Sequence, residues 1–154
     1  MKLFLLRFLP ALLLACGFTA CSSPESITAG LKIELTGIER AGDGSVRVAW
    51  RVQNPNVFSY VLNKTTQKVT LNGTLVGTIT DNSPLGVPAQ SHAERTGLLS
   101  PVKPPAGTVL DQAVAQGSAT YRLDSAVILL LLDEQIERIP LTGSGTVTVT
   151  ATAK

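Results

Sequence analysis

Apolar and polar residues alternate with a period of two along most of the chain beyond position 30, the pattern of strands with one buried and one wet face. Leu31, Ile33 and Leu35 alternate with Lys32, Glu34 and Thr36. After the turn residues Ala41-Gly42-Asp43-Gly44, the residues Val46, Val48, Trp50 and Val52 alternate with Arg47, Ala49, Arg51 and Gln53. This run is the clearest strand in the sequence. A third strand is expected from about Tyr60 to Leu71. Asn72-Gly73 then marks a tight hairpin, because both central residues of a type I′ turn need positive φ, and Thr74 to Thr80 returns as the partner. Asp81 to Pro88, with two prolines, is expected as a loop. A weaker strand from His92 to Leu99 follows, then a second proline-rich loop through Pro101, Pro104 and Pro105.

Helical spacing occurs once. Val109, Leu110, Ala113 and Val114 form one apolar stripe, and Gly117 is placed to end the helix. Thr120 to Leu132 reads as a long strand whose second half, from Ala126, is continuously apolar and is expected to be covered on both faces. Asp133-Glu134-Gln135 turns the chain, Ile136 to Leu141 returns, and a separate last strand runs from Thr146 to Thr150 with Val147 and Val149 inward. Many short strands, frequent turns and a single helix predict an all-β fold: an antiparallel β-sandwich of the immunoglobulin or fibronectin III kind with one short helix.

Residues 1–20 follow a different rule. Lys2 and Arg7 make a basic head, and Phe8 to Leu14 make a short apolar stretch broken only by Pro10, the layout of an N-terminal signal peptide. A spanning helix needs about 20 apolar residues, and the uninterrupted run after Arg7 falls short of that. Both cysteines, Cys16 and Cys21, stand at the end of this leader and none stands in the body, where disulfides would serve a secreted domain. Phe18-Thr19-Ala20-Cys21 resembles the lipobox of bacterial lipoproteins, with Leu13-Leu14-Ala15-Cys16 as the alternative frame. Cys21 is favoured for lipid attachment. Ser22-Ser23-Pro24 behind it supplies a polar tether, and cleavage there leaves no stray thiol. The resemblance implies more than one acyl chain on that cysteine, enough for stable anchoring in a membrane. A serine after Cys21 is similar to the pattern sorted to the outer membrane, facing the periplasm. The expected organisation is a lipoprotein signal peptide at 1–20, a lipidated tether at 21–30 and a β-sandwich domain at 31–154.

Charge narrows the partners. Of the 13 Lys and Arg, Lys2 and Arg7 lie in the leader, so 11 remain against 11 Asp and Glu, all of which lie beyond it. A nucleic-acid partner calls for a basic surplus, and this balance excludes one. With 44% hydrophobic and 16% charged residues the chain also stands outside the disordered class.

Val46-Arg47-Val48-Ala49-Trp50-Arg51-Val52-Gln53-Asn54-Pro55-Asn56 resembles the hallmark of the type 2 late-embryogenesis-abundant (LEA) proteins, which include the water-stress and hypersensitive-response (WHy) domain. In that family an alternating strand runs into Asn-Pro-Asn, and a further strand ends in an Asn-Gly turn, the place taken here by Val69-Thr70-Leu71-Asn72-Gly73. Pro88-Ala89 and Arg138-Ile139-Pro140-Leu141 also fit, so the likeness covers roughly Ile27 to Val149. It implies a non-enzymatic domain associated with desiccation, cold and other water-limiting stress. The motif residues Asn54, Pro55, Asn56, Asn72 and Gly73 read as structural: Pro55 removes a ladder donor and the asparagines bond nearby backbone in its place.

Reactive chemistry has little to start from. His92 is the only histidine. Ser144, between two glycines, is not in a nucleophile elbow. His92-Ala93-Glu94 lacks the cysteine pair that would complete a zinc set. Asp133 and Glu134 sit in a turn, where carboxylates are solvated. The expectation is no cofactor, no metal and no enzymatic activity. The chain is expected to be a membrane-anchored, stress-protective envelope protein; the alternative is an envelope accessory module that binds a protein or an apolar ligand.

Overall fold

The computed structural model describes residues 30–102, 105–131 and 134–152, with the side chains of 131 and 134–137 not described. Nine strands and one helix follow in chain order: β1 (Lys32–Arg40), β2 (Val46–Asn54), β3 (Tyr60–Leu71), β4 (Thr74–Asp81), β5 (Leu85–Val87), β6 (Ser91–Leu98), β7 (Ser100–Pro101), α1 (Ala106–Gln116), β8 (Ser118–Leu131) and β9 (Glu134–Ala151). The fold is all-β with a single short helix, as the alternation predicted.

The hydrogen-bonded order is β6-β2-β1-β9-β8-β3-β4-β7, with β5 also on β3. Every ladder is antiparallel except that of β1 with β9, where Ile38, Glu39 and Arg40 run parallel to Val149, Thr150 and Ala151. This one ladder departs from the purely antiparallel sandwich expected, and it joins the two halves into one curled sheet. Its outer strands are brought face to face. A Cβ on Gly97 in β6 would collide with Ile79 of β4, so the glycine permits that approach.

Between the two halves lies one core. Val48, Trp50 and Val52 of β2, Leu62, Val69 and Leu71 of β3, and Leu123, Val127 and Leu129 of β8 are all fully buried. The expected register of β2 holds, with Val46, Val48, Trp50 and Val52 inward and Arg47, Ala49, Arg51 and Gln53 exposed or half-buried. Helix α1 buries Ala106, Leu110 and Ala113, and Gly117 closes it in the left-handed conformation at φ 73°. Among the described residues no side chain caps its N-terminus, and packing of that apolar stripe stabilises it. In the turn between β1 and β2, the hydroxyl and the amide of Ser45 both donate to Asp43 and hold its carboxyl below the ordinary carboxylate range.

Three expectations are corrected. The segment 81–88 is not all loop, because Leu85–Val87 pairs with Tyr60–Leu62 and buries Leu85 and Val87. The last two strands are one: β9 runs unbroken through Thr142-Gly143-Ser144-Gly145. These glycines serve close packing, since a Cβ on Gly143 would strike the Ile33 carbonyl and Tyr121 lies over Gly145. Finally, the apolar half of β8 is covered on one face only. Val127 and Leu129 are buried, whereas Ala126, Ile128 and Leu130 are half-buried on the outer face.

Candidate functional site

The inward face of β2 ends on a polar residue. Asn54 occupies the position after Val52 in the Val46–Val48–Trp50–Val52 series and is 1% exposed. A buried amide needs partners, and Asn54 finds them in the loops on either side. Its Nδ2 donates to the carbonyls of Phe58 at 2.7 Å, Pro88 at 3.0 Å and Val87 at 3.4 Å. Its Oδ1 accepts from the Asn56 amide at 3.0 Å, which turns the chain around Pro55. Two further bonds tie the same loops: Gln90 N donates to Asn56 O at 2.9 Å, and Ala89 N donates to Ser59 Oγ at 3.2 Å.

The loop from Asn54 to Ser59 is therefore fastened to the segment Val87–Gln90, and its tip carries Val57 and Phe58, each 68% exposed. The chain enters the domain beside it. A Cβ on Gly30 would lie 3.0 Å from Pro55 Cγ. At the same end an open cleft of about 470 Å3 is lined by Lys32, Gln53, Asn54, Pro55, Gln90, Ser91 and His92. The ion pairs nearby are Arg51 with Glu34, which also accepts from Gln53 Nε2 at 3.0 Å, and Arg51 with Glu94 at 3.7 Å.

Asn72 and Gly73 lie at the other end of β3. Their φ angles of 47° and 81° make the hairpin turn to β4. Asn72 also bonds the backbone of β8: its backbone amide donates to Thr120 O at 2.9 Å, and its side-chain Oδ1 accepts from Thr120 N at 3.0 Å. The two parts of the sequence motif are thus separated by the 12 residues of β3, roughly 36 Å at strand rise, and do not form one site. Each fastens its own end of the sandwich.

His92 is exposed on β6 opposite Gln53, and Ser144 is exposed in mid-strand opposite Arg122. Among the described residues no group of three or more His, Cys, Asp or Glu is placed to hold a metal ion, and no helix is long and apolar enough to cross a membrane. Cys16, Cys21, the signal peptide at 1–20 and the tether through residue 29 lie outside the described residues, as does Asp133. Val57 and Phe58 are the residues that strand patterning passed over. Two large apolar residues directly after Asn54-Pro55-Asn56, before alternation resumes at Tyr60, were the available signal.

No family model and no curated protein matches the chain. Solved structures match it in fold. The chain is similar to an Arabidopsis thaliana protein solved in solution, at 15% identity and a TM-score of 0.50, over 80% of this chain and 80% of that one. It is also similar to a candidate late embryogenesis abundant (LEA) protein in solution, at 11% identity and a TM-score of 0.47, over 84% of this chain and 76% of that one. A crystal structure of a protein from Archaeoglobus fulgidus aligns at 16% identity and a TM-score of 0.44, over 77% and 94% of the two chains. At 15% identity the first of these shows a likeness of fold alone.

Proposed function

We propose that the chain is a lipid-anchored, non-enzymatic protein of the cell envelope that protects membranes or neighbouring proteins when water is withdrawn. The leader ending in Phe18-Thr19-Ala20-Cys21 supports the anchor, and the type 2 LEA resemblance of the segment from Val46 to Gly73 supports the stress role. One structural observation carries the reading. Both side-chain atoms of Asn54 and the Oδ1 of Asn72 hydrogen-bond within the fold, so these two asparagines shape the scaffold. A folded polar surface that stays intact as water activity falls is the property a shield requires.

The second reading, an accessory binding module, is favoured by the cleft at the Asn54 end. Lys32, Gln53, Gln90, Ser91 and His92 line it together with Pro55, so it offers both hydrogen-bonding groups and apolar surface to a partner protein or a ligand.

Drying an unrelated enzyme with the purified domain, freed of its leader, separates the two. The shield reading predicts less aggregation on rehydration, with His92→Ala and Gln53→Ala matching the wild type once stability is taken into account. Loss of protection in either variant at an unchanged Tm would identify the cleft as a specific site and favour the binding module.

A further inference from the structure

We propose that Val57 and Phe58 form a membrane-contacting tip that seats the domain upright on the bilayer holding its lipid anchor. The inference rests on the lipid-anchored reading above and adds the orientation that attachment at Cys21 alone would leave undefined.

Exposure, rigidity and position converge on this loop. Both side chains are 68% exposed, although burial of large apolar groups is the main driving force of folding. The exposure is not that of a loose loop. The Phe58 carbonyl is held by Asn54 Nδ2, and the chain on both sides is bonded to Val87–Gln90. The fold thus holds the pair outward on a fixed support. It also holds them at the end where the tether arrives, since Gly30 packs beside Pro55. From Cys21 to Gly30 are nine residue steps, at most about 30 Å of extended chain. A tip beside Gly30 is therefore within reach of the bilayer surface whenever the anchor is inserted.

Leu98 supplies the contrast. It is 64% exposed, but it ends β6 opposite Arg47, near the start of β2 and far from Asn54 at the end of that strand. An upright domain keeps Leu98 in water. The acyl chains supply affinity, and the valine and phenylalanine, shallowly inserted, set the angle, as apolar side chains do for proteins lying at the interface.

The test uses the lipidated full-length protein reconstituted in vesicles of phosphatidylethanolamine and phosphatidylglycerol, with and without brominated acyl chains. Phe58→Trp and Leu98→Trp each add an indole at a surface position, so neither threatens the core. Trp50, fully buried, gives the wild type a constant background. The expected result is that bromine quenches the added emission of Phe58→Trp and leaves that of Leu98→Trp and the wild type unchanged. If the protein floats with the vesicles but the indole at position 58 stays open to aqueous acrylamide and unquenched by bromine, the tip is not a membrane contact; a protein partner for the loop then takes its place. Equal quenching of both variants overturns the upright orientation. If the wild type does not float with the vesicles, the anchored reading fails and this inference fails with it.

Discussion

Asn54 shows how one side chain can close a strand and order two loops. It takes an inward position at the end of β2, where another valine would leave the carbonyls of Phe58 and Pro88 without donors. Replacing it with alanine removes the donor and keeps the acceptors, the costly way to break a buried hydrogen bond. Asn54→Ala should lose about 1–3 kcal/mol in a denaturant titration, whereas His92→Ala, exposed on β6, should stay within about 0.5 kcal/mol. Equal effects would show that the asparagine network does not hold the loops. In the sequence, Asn54-Pro55-Asn56 was legible as a stop because Pro55 lacks an amide hydrogen. Its partners were not, since Val87 and Pro88 lie more than thirty residues on and no local pattern points to them. Val57 and Phe58 went unread for a related reason: periodicity reports which face of an element is buried and is silent about a loop between two elements.

The strands themselves were largely legible, because alternation is imposed by a core that covers one face. β2 and β3 fall where the pattern placed them. β9 does not. Thr142-Gly143-Ser144-Gly145 has the composition of a turn, yet here the glycines let β1 pass close to β9 and let Tyr121 lie flat, needs set by neighbours distant in sequence. β3 carries the opposite kind of surprise. Gln67 points into the core, is fully buried, and neither its Nε2 nor its Oε1 finds a partner among the described residues; Thr65 and Ser125 are buried beside it in the register, also unpaired there. A buried amide without partners costs roughly 1–3 kcal/mol. Gln67→Leu should therefore leave stability unchanged or raise it by about 1 kcal/mol, while Leu71→Ala, two inward positions along the same strand, should cost about 2–5 kcal/mol. A loss in Gln67→Leu would mean that the amide is hydrogen-bonded in solution.

At the scale of the molecule, the parallel ladder between β1 and β9 brings the last strand against the first and makes one curled sheet of two halves. This joins residues more than a hundred positions apart, a pairing that strand patterns alone do not reveal. The same closure sets the polarity of the whole. Gly30, the Asn54 loop and the cleft share one end, while the Asn72 hairpin, Leu98 and the last residue of β9 lie toward the other. An anchor at Cys21 would give that polarity a meaning, with the fastened loop toward the membrane and the hairpin end away from it. Survival after drying and rehydration reports whether an anchored shield protects the envelope. The cells compared are the native host lacking the protein and the same host carrying the wild type or Cys21→Ser, with fatty-acid labelling to report which form is lipidated. Survival should fall without the protein and recover with the labelled wild type, whereas Cys21→Ser should show neither labelling nor recovery. Equal survival of the deleted and wild-type hosts, with the protein present and labelled in the latter, would contradict the anchored-shield reading.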